Sequence, residues 1–162
     1  MAAKGTKGSK GKANLSPRIE NRRAWHDYFI EAKLECGIVL KGTEVKSLRL
    51  GKAQLQDAFA KIEDGELVLH KMYVDPYEKA SVANHDPIRE RKLLAHKREI
   101  KKLESAIRER GTTLVPLAVY FKGPHAKVEL GVAKGKQFHD KRESIKKKEM
   151  DREVRRAMGQ RR

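Results

Sequence analysis

Six histidines (His26, His70, His85, His96, His125 and His139), six serines and one cysteine are the first side chains to weigh as metal ligands or nucleophiles in this 162-residue chain. Their spacing supports neither. No HxH or HExxH pair sets two imidazoles on one face, which leaves exposed or capping histidines, or a site assembled from distant ones. Ser9, Ser16, Ser47, Ser81, Ser105 and Ser144 have no nucleophile-elbow setting. Gly131 to Lys136 reads GVAKGK, without the spacing of a phosphate-cradling loop or a Ser/Thr after its lysine. It reads instead as a flexible exit from a strand, with amides and cations available to a phosphate. The lone Cys36 excludes an intrachain disulfide and a cysteine-based zinc site, and suits a reducing cytosol. No enzymatic activity, metal or cofactor is expected.

Arg89-Glu90-Arg91-Lys92 before Leu93-Leu94 places cations beside an apolar pair. Two readings are open: a core strand with a solvated flank, or a base-stacking surface ringed by phosphate contacts.

The elements that would position these groups are mostly strands. Tyr28, Ile30 and Leu34 alternate among charges, with Gly37 breaking the run. Asp64-Gly65 between Phe59–Ile62 and Leu67–Leu69 predicts a tight hairpin. A second hairpin joins Leu114–Phe121 to Ala126–Ala133 through Lys122-Gly123-Pro124-His125, and Pro116 requires an edge or a bulge near its start. Thr43 could cap a short helix over Glu44–Leu50 that ends near Gly51. A clearer helix spans about His96 to Arg110, with Ile100, Leu103 and Ile107 on one face and Gly111 as its stop. Asp75–Arg91 is a long polar loop, of the kind that is functional or mobile. Several short strands with few helices fit a small closed barrel, whose closure removes exposed edges.

Charge divides the chain in three. Residues 1–24 hold seven basic and one acidic residue, residues 134–162 twelve and five, and the 109 residues between them nineteen and sixteen. A near-balanced body between basic ends argues for a compact domain that addresses a polyanion. Lys4 to Lys12 alternates cations with small residues and has nothing to bury, so an arm over residues 1–20 is expected to be disordered when free and to bind nucleic acid weakly and nonspecifically. The body is expected over 21–134. In the tail, 135–162, Met150, Val154, Ala157 and Met158 share a helical face, but such a weakly apolar helix is marginal alone. A tail disordered when free and helical when docked is expected. The uncharged run Thr112 to Phe121 is about half a membrane span, and no apolar stretch follows the basic start as a secretory leader requires. A cytoplasmic protein without a membrane partner is expected.

Asn21-Arg22-Arg23-Ala24-Trp25-His26-Asp27-Tyr28 resembles the opening of the SsrA-binding protein family, small protein B. So do GTEVKSLR over Gly42–Arg49, Asp86-Pro87 with Arg91-Lys92-Leu93-Leu94, Gly131–Lys136, and His139-Asp140-Lys141-Arg142. The likeness runs in order from about residue 15 to the end. It implies an oligonucleotide-binding-like antiparallel β-barrel with two to three helices and a basic C-terminal tail. It also implies a noncatalytic bacterial adaptor that binds the tRNA-like domain of transfer-messenger RNA and delivers it to stalled ribosomes for trans-translation. The tail would occupy the empty mRNA channel near the decoding centre of the small subunit. Whether elongation factor Tu, a candidate member of the delivery complex, contacts the protein directly stays open.

By position, the resemblance places RNA-gripping roles on Glu35, Leu94, His96 and Lys127, and a decoding-centre contact on His26. It places ribosome-binding roles on Gly135, Lys136, Asp140, Lys141, Arg142 and Met158. A carboxylate beside RNA can accept from a base amine or a 2′-hydroxyl, or orient Lys127. Asp140 could fix the neighbouring cations or cap the following helix. The chain departs from the family pattern at Ala95, where a third leucine is common, at Gln137, where lysine is frequent, and at Ala157, where a larger aliphatic residue occurs.

Overall fold

A computed structural model describes residues 16–81 and 83–159. Its strands are β1 (Ile19–Glu20), β2 (Tyr28–Ile38), β3 (Ala53–Gln54), β4 (Phe59–Glu63), β5 (Glu66–His70), β6 (Tyr73–Val74), β7 (Arg91–Leu94), β8 (Thr112–Lys122) and β9 (His125–Gly135). Its helices are α1 (Arg22–Asp27), α2 (Gly42–Arg49), α3 (Lys97–Ile107) and α4 (Phe138–Gly159). The sheet runs β1-β8-β4-β5-β7-β2-β9, and β8 also pairs with β9, which closes the ring. All its pairings are antiparallel. This is the expected barrel, and β3 and β6 form a separate small ribbon beside it.

The turn residues fix both hairpins. Asp64 and Gly65 both take positive φ, as a two-residue primed turn requires, and set Glu63 opposite Glu66. Gly123, at φ +64, precedes Pro124 in the turn that sets Lys122 opposite His125. The β8–β9 register shifts between Pro116 and Ala118, so the proline sits at a bulge, as expected. A second bulge between Ile30 and Ala32 interrupts the β2–β9 ladder, which otherwise runs from Tyr28 opposite Gly135 to Gly37 opposite Lys127. Inward positions of the strands, among them Cys36, Leu67, Leu69, Leu93, Leu114, Val128 and Leu130, join Leu48, Met72 and Leu103 in the core.

Several expectations need correction. Gly37 does not break the first strand, because β2 continues through it to Ile38. The Leu93–Leu94 pair is divided by strand alternation: Leu93 enters the core and Leu94 faces outward. Helix α2 starts one residue before Thr43, and it is Glu44 that accepts a hydrogen bond from the Lys41 N–H, at 2.7 Å. The Thr43 hydroxyl lies 2.8 Å from His85 Nδ1, while His85 Nε2 donates to the Val74 carbonyl.

The arm boundary also moves. Its residues up to 15 lie outside the described ones, but Ile19–Glu20, the end of the expected arm, is a strand paired with Ala118 and Val119. Gly135, assigned to the tail by sequence, closes β9 opposite Tyr28. Helix α1 went unread altogether, although Asn21 has the side chain of a helix cap: it accepts from the Ala24 N–H and donates to the carbonyls of Leu55 and Pro116.

The long polar loop carries structure. Arg91 and Glu44 are both 0 % exposed. Arg91 Nε donates to Glu44 at 2.9 Å, and its Nη1 and Nη2 donate to the carbonyls of Met72, Arg89 and Pro87. Arg89 Nε adds a bond to Glu44 at 2.8 Å. Burial pushes the Glu44 carboxyl up, but Arg89, the Lys41 N–H and Arg91 outweigh it and hold it below its ordinary value. The loop is therefore tied to α2 and β7 through one buried ionic cluster.

The tail residues Phe138–Gly159 form helix α4, and Met150, Val154 and Met158 stand exposed on it. Residues 160–162 of the expected tail lie outside the described ones.

Candidate nucleic-acid interface

The ring order turns three distant residues into one row. Gly37 pairs with Leu94 of β7 on one side and with Lys127 of β9 on the other. Directly paired residues point to the same face, so Leu94 and Lys127 flank the glycine across two strand spacings, about 10 Å. Glu35 lies two residues back along β2, on that same face.

His96 closes one side of this groove as the residue before α3. Its N–H donates to the Glu99 carboxylate at 2.8 Å, and the imidazole is exposed. Glu35, Leu94, His96 and Lys127 thus line a single open groove, with Gly37, Glu99 and His125 also on its walls. Leu94 is 52 % exposed. It lies so close over Gly37 that a β-carbon there would come within 3.2 Å of the leucine's own. The missing side chain at Gly37 leaves room for Leu94 to lie across it, and the leucine's outer face meets solvent.

Glu35 is held by neighbours that the sequence reading did not connect to it. The Tyr120 hydroxyl donates to its Oε2, and Lys122 Nζ lies 3.3 Å from Oε1. Tyr120 in turn sits opposite Lys127, one strand further along the same row. The hydrogen bond from Tyr120 outweighs desolvation, and with Lys122 it holds the Glu35 carboxyl below its ordinary value. Lys127 acts on Glu35 through its field. Period-two reading of the second hairpin, with its turn fixed, would have placed Tyr120 and Lys122 on this face.

The other candidates gather at the opposite end of the β2–β9 ladder. His26 Nδ1 donates to Asp27 Oδ1 at 2.9 Å, and Lys141 Nζ lies 3.1 Å from the same oxygen. Arg23 Nε donates to Asp27 Oδ2 at 3.2 Å. The Lys136 N–H donates to the Asp27 carbonyl at 2.9 Å, and its ammonium reaches the Trp25 carbonyl at 3.2 Å. Asp140 accepts from the Gln137 N–H at 3.2 Å, so it caps the first turn of α4.

His26, Gly135, Lys136, Asp140 and Lys141 therefore meet where α1, β9 and α4 join. Arg142 faces outward one residue beyond. Met158 does not join them. It lies seventeen residues past Lys141 along the helix, about 26 Å at 1.5 Å per residue.

The His26 hydrogen bond, with help from Lys141 and Arg23, brings the Asp27 carboxyl down to about 2. A carboxyl depressed in the folded chain stabilises it fully above the ordinary value near ~4, and that contribution fades as pH falls toward the folded value. The junction of α4 with α1 is accordingly expected to hold from neutral pH to about pH 4 and to loosen between about 4 and 2. Fluorescence transfer between probes on α4 and on the barrel, followed through an acid titration, checks this. Asp27→Asn should remove the acid-dependent part, and an unchanged titration in that variant would refute the assignment.

Among the described residues no group of three or more His, Cys, Asp or Glu side chains could hold a metal ion. Burial pushes the Cys36 thiol up to about 12, far from a reactive thiolate. No helix of the described residues is long and apolar enough to cross a membrane.

A closed antiparallel ring of strands with a mixed apolar and ionic groove at one end and a basic helix at the other places the chain among small β-barrel proteins with accompanying helices. Comparison with known proteins narrows this, for the SmpB protein family model matches residues 18–160. The chain belongs to the SmpB, or SsrA-binding protein, family. It is 57% identical over 141 residues to an SsrA-binding protein of Geobacter metallireducens, covering 87% of this chain and 92% of that one. It is 56% identical over 142 residues to one from Geobacillus thermodenitrificans, covering 88% and 92%. A solved structure described as "tmRNA-SmpB: a journey to the center of the bacterial ribosome" is 52% identical, with a TM-score of 0.66 over 80% of this chain and 95% of its own.

Proposed function

We propose that this chain is the RNA-binding adaptor of trans-translation. It binds the tRNA-like domain of transfer-messenger RNA in the groove of Glu35, Leu94, His96 and Lys127, and it presents α4 to the stalled ribosome. The observation that carries the reading is the row Leu94–Gly37–Lys127 with Glu35 beside it, which makes one surface of residues drawn from three strands. A solvent-facing leucine lying across Gly37 offers an apolar face to a base or sugar. Lys127 offers a cation to a phosphate, and His96 and Glu35 offer directional hydrogen bonds. Membership of a family whose relatives are named for SsrA binding, and likeness to a structure described as tmRNA-SmpB, support the same partner.

The second cluster gives the tail a fixed origin. His26 lies at the same end as the root of α4, so a contact at the decoding centre and insertion of the tail into the mRNA channel are compatible in one pose. Lys141 and Arg142 would meet ribosomal RNA phosphates, and Met158, far along α4, would supply an apolar contact. The adaptor performs no reaction itself, works in the cytoplasm and needs no cofactor.

Competition binding tests the proposal. Full-length protein bound to labelled transfer-messenger RNA at moderate salt should resist a large excess of ordinary tRNA or bulk ribosomal RNA. Equal competition by all three would reduce the protein to a generic basic barrel, whose affinity is mostly counterion release.

A further inference from the structure

We infer that Tyr120 is a positioning residue of the groove, fixing the Glu35 carboxylate so that its unused lone pairs face the bound RNA. The inference rests on the groove being the RNA site and adds a residue whose effect passes through another side chain.

The need for such a residue follows from charge. A carboxylate beside a polyanion is repelled by phosphate, so its value lies in accepting a hydrogen bond from a base amine or a 2′-hydroxyl at a set direction. A freely rotating glutamate would lose that value in rotamer entropy. Here the Tyr120 hydroxyl donates to Oε2 and Lys122 lies 3.3 Å from Oε1, so the carboxylate is held from two sides. About four acceptor sites are available on a carboxylate, which leaves some for a ligand.

Tyr120 is itself anchored. Its Cα sits opposite Lys127 in the β8–β9 register. The Arg18 guanidinium lies 4.7 Å above its ring and is ion-paired to Glu129, which also takes Lys33 at 3.1 Å. Burial, together with Glu35, pushes the phenol up to about 12, so it remains a donor throughout the physiological range. Arg18, a member of the expected nonspecific arm, thereby becomes part of the support of the site.

A double-mutant cycle with full-length protein and a transfer-messenger RNA tRNA-like-domain probe tests the inference. Glu35→Ala and Tyr120→Phe should each weaken binding, Tyr120→Phe by about tenfold, while the salt dependence and the thermal midpoint stay near those of the parent. In the Glu35→Ala background, Tyr120→Phe should have no further effect. Loss of affinity in Glu35→Ala with parental affinity in Tyr120→Phe would overturn the positioning role alone. Losses that multiply in the double variant would overturn it too, showing that the phenol meets RNA directly. Parental affinity in Glu35→Ala would overturn the groove as the RNA site.

Discussion

A chain cut after Gly135 is expected to bind transfer-messenger RNA within about threefold of the full-length protein, ~0.6 kcal/mol, while tagging of nascent chains at stalled ribosomes is abolished. The expectation comes from where the cut falls. Gly135 opposite Tyr28 is the last pair of the β2–β9 ladder, so the ring stays closed. The groove of Glu35, Leu94, His96 and Lys127 lies at the other end of that ladder and keeps all its contacts. The cut removes the bond from the Lys136 N–H to the Asp27 carbonyl, the Lys141–Asp27 contact and all of α4.

Residues 136–162 carry eleven basic and five acidic side chains, so their loss should flatten the salt dependence of RNA binding while sparing most of the affinity at moderate salt. Titrations at two ionic strengths, beside a reconstituted tagging reaction, separate the two jobs. Loss of RNA binding together with tagging would refute the division of labour.

Glu44→Gln should be the most destabilising of the single substitutions considered, at about 3–5 kcal/mol by chemical denaturation. The carboxylate is completely buried, takes Arg89 and Arg91 together, and also accepts from the Lys41 N–H. Neutralising it leaves the fully buried Arg91 guanidinium without its counter-ion, and the remaining carbonyl partners cannot balance a net charge. Glu44→Gln combined with Arg91→Met should recover much of the loss, because a buried pair replaced by apolar groups often costs little. A single-variant loss below about 1 kcal/mol would mean that water reaches the cluster and that burial is not what gives the pair its weight.

The contrast between these two regions explains what could be read from the sequence. The hairpins were legible because Asp64-Gly65 and Gly123-Pro124 encode their turns locally, and Pro116 announces its own bulge. Helix α3 declared itself through Ile100, Leu103 and Ile107. The buried cluster did not, because nothing in the spacing of Glu44 and Arg91, 47 residues apart, says that two charges will meet in the core. GTEVKSLR and RKLL served to point to a family, yet Glu44 and Arg91 within them secure the fold. Helix α1 was missed because six residues are too few for a periodic signal, although the Asn21 cap was visible. The groove's four residues came from resemblance. The row that unites them, with Gly37 as its centre, required the strand order, and so did the supporting roles of Tyr120 and Arg18.

The β2–β9 ladder also works as a gauge. From Tyr28 opposite Gly135, beside the tail root, to Gly37 opposite Lys127, in the groove, it advances eight steps along β9, roughly 26 Å at ~3.3 Å each, with one extra β2 residue taken up by the bulge. Both strands are paired along their length within the closed ring. A one-residue insertion would not merely lengthen the ladder. Unless taken up as a further bulge like that at Ile30–Ala32, it would turn every following side chain to the opposite face and carry Glu35 and the groove inward. The separation between whatever binds each end is thus quantised by the peptide repeat, and a change in the RNA or the ribosome at one end cannot be absorbed by stretching the protein between them.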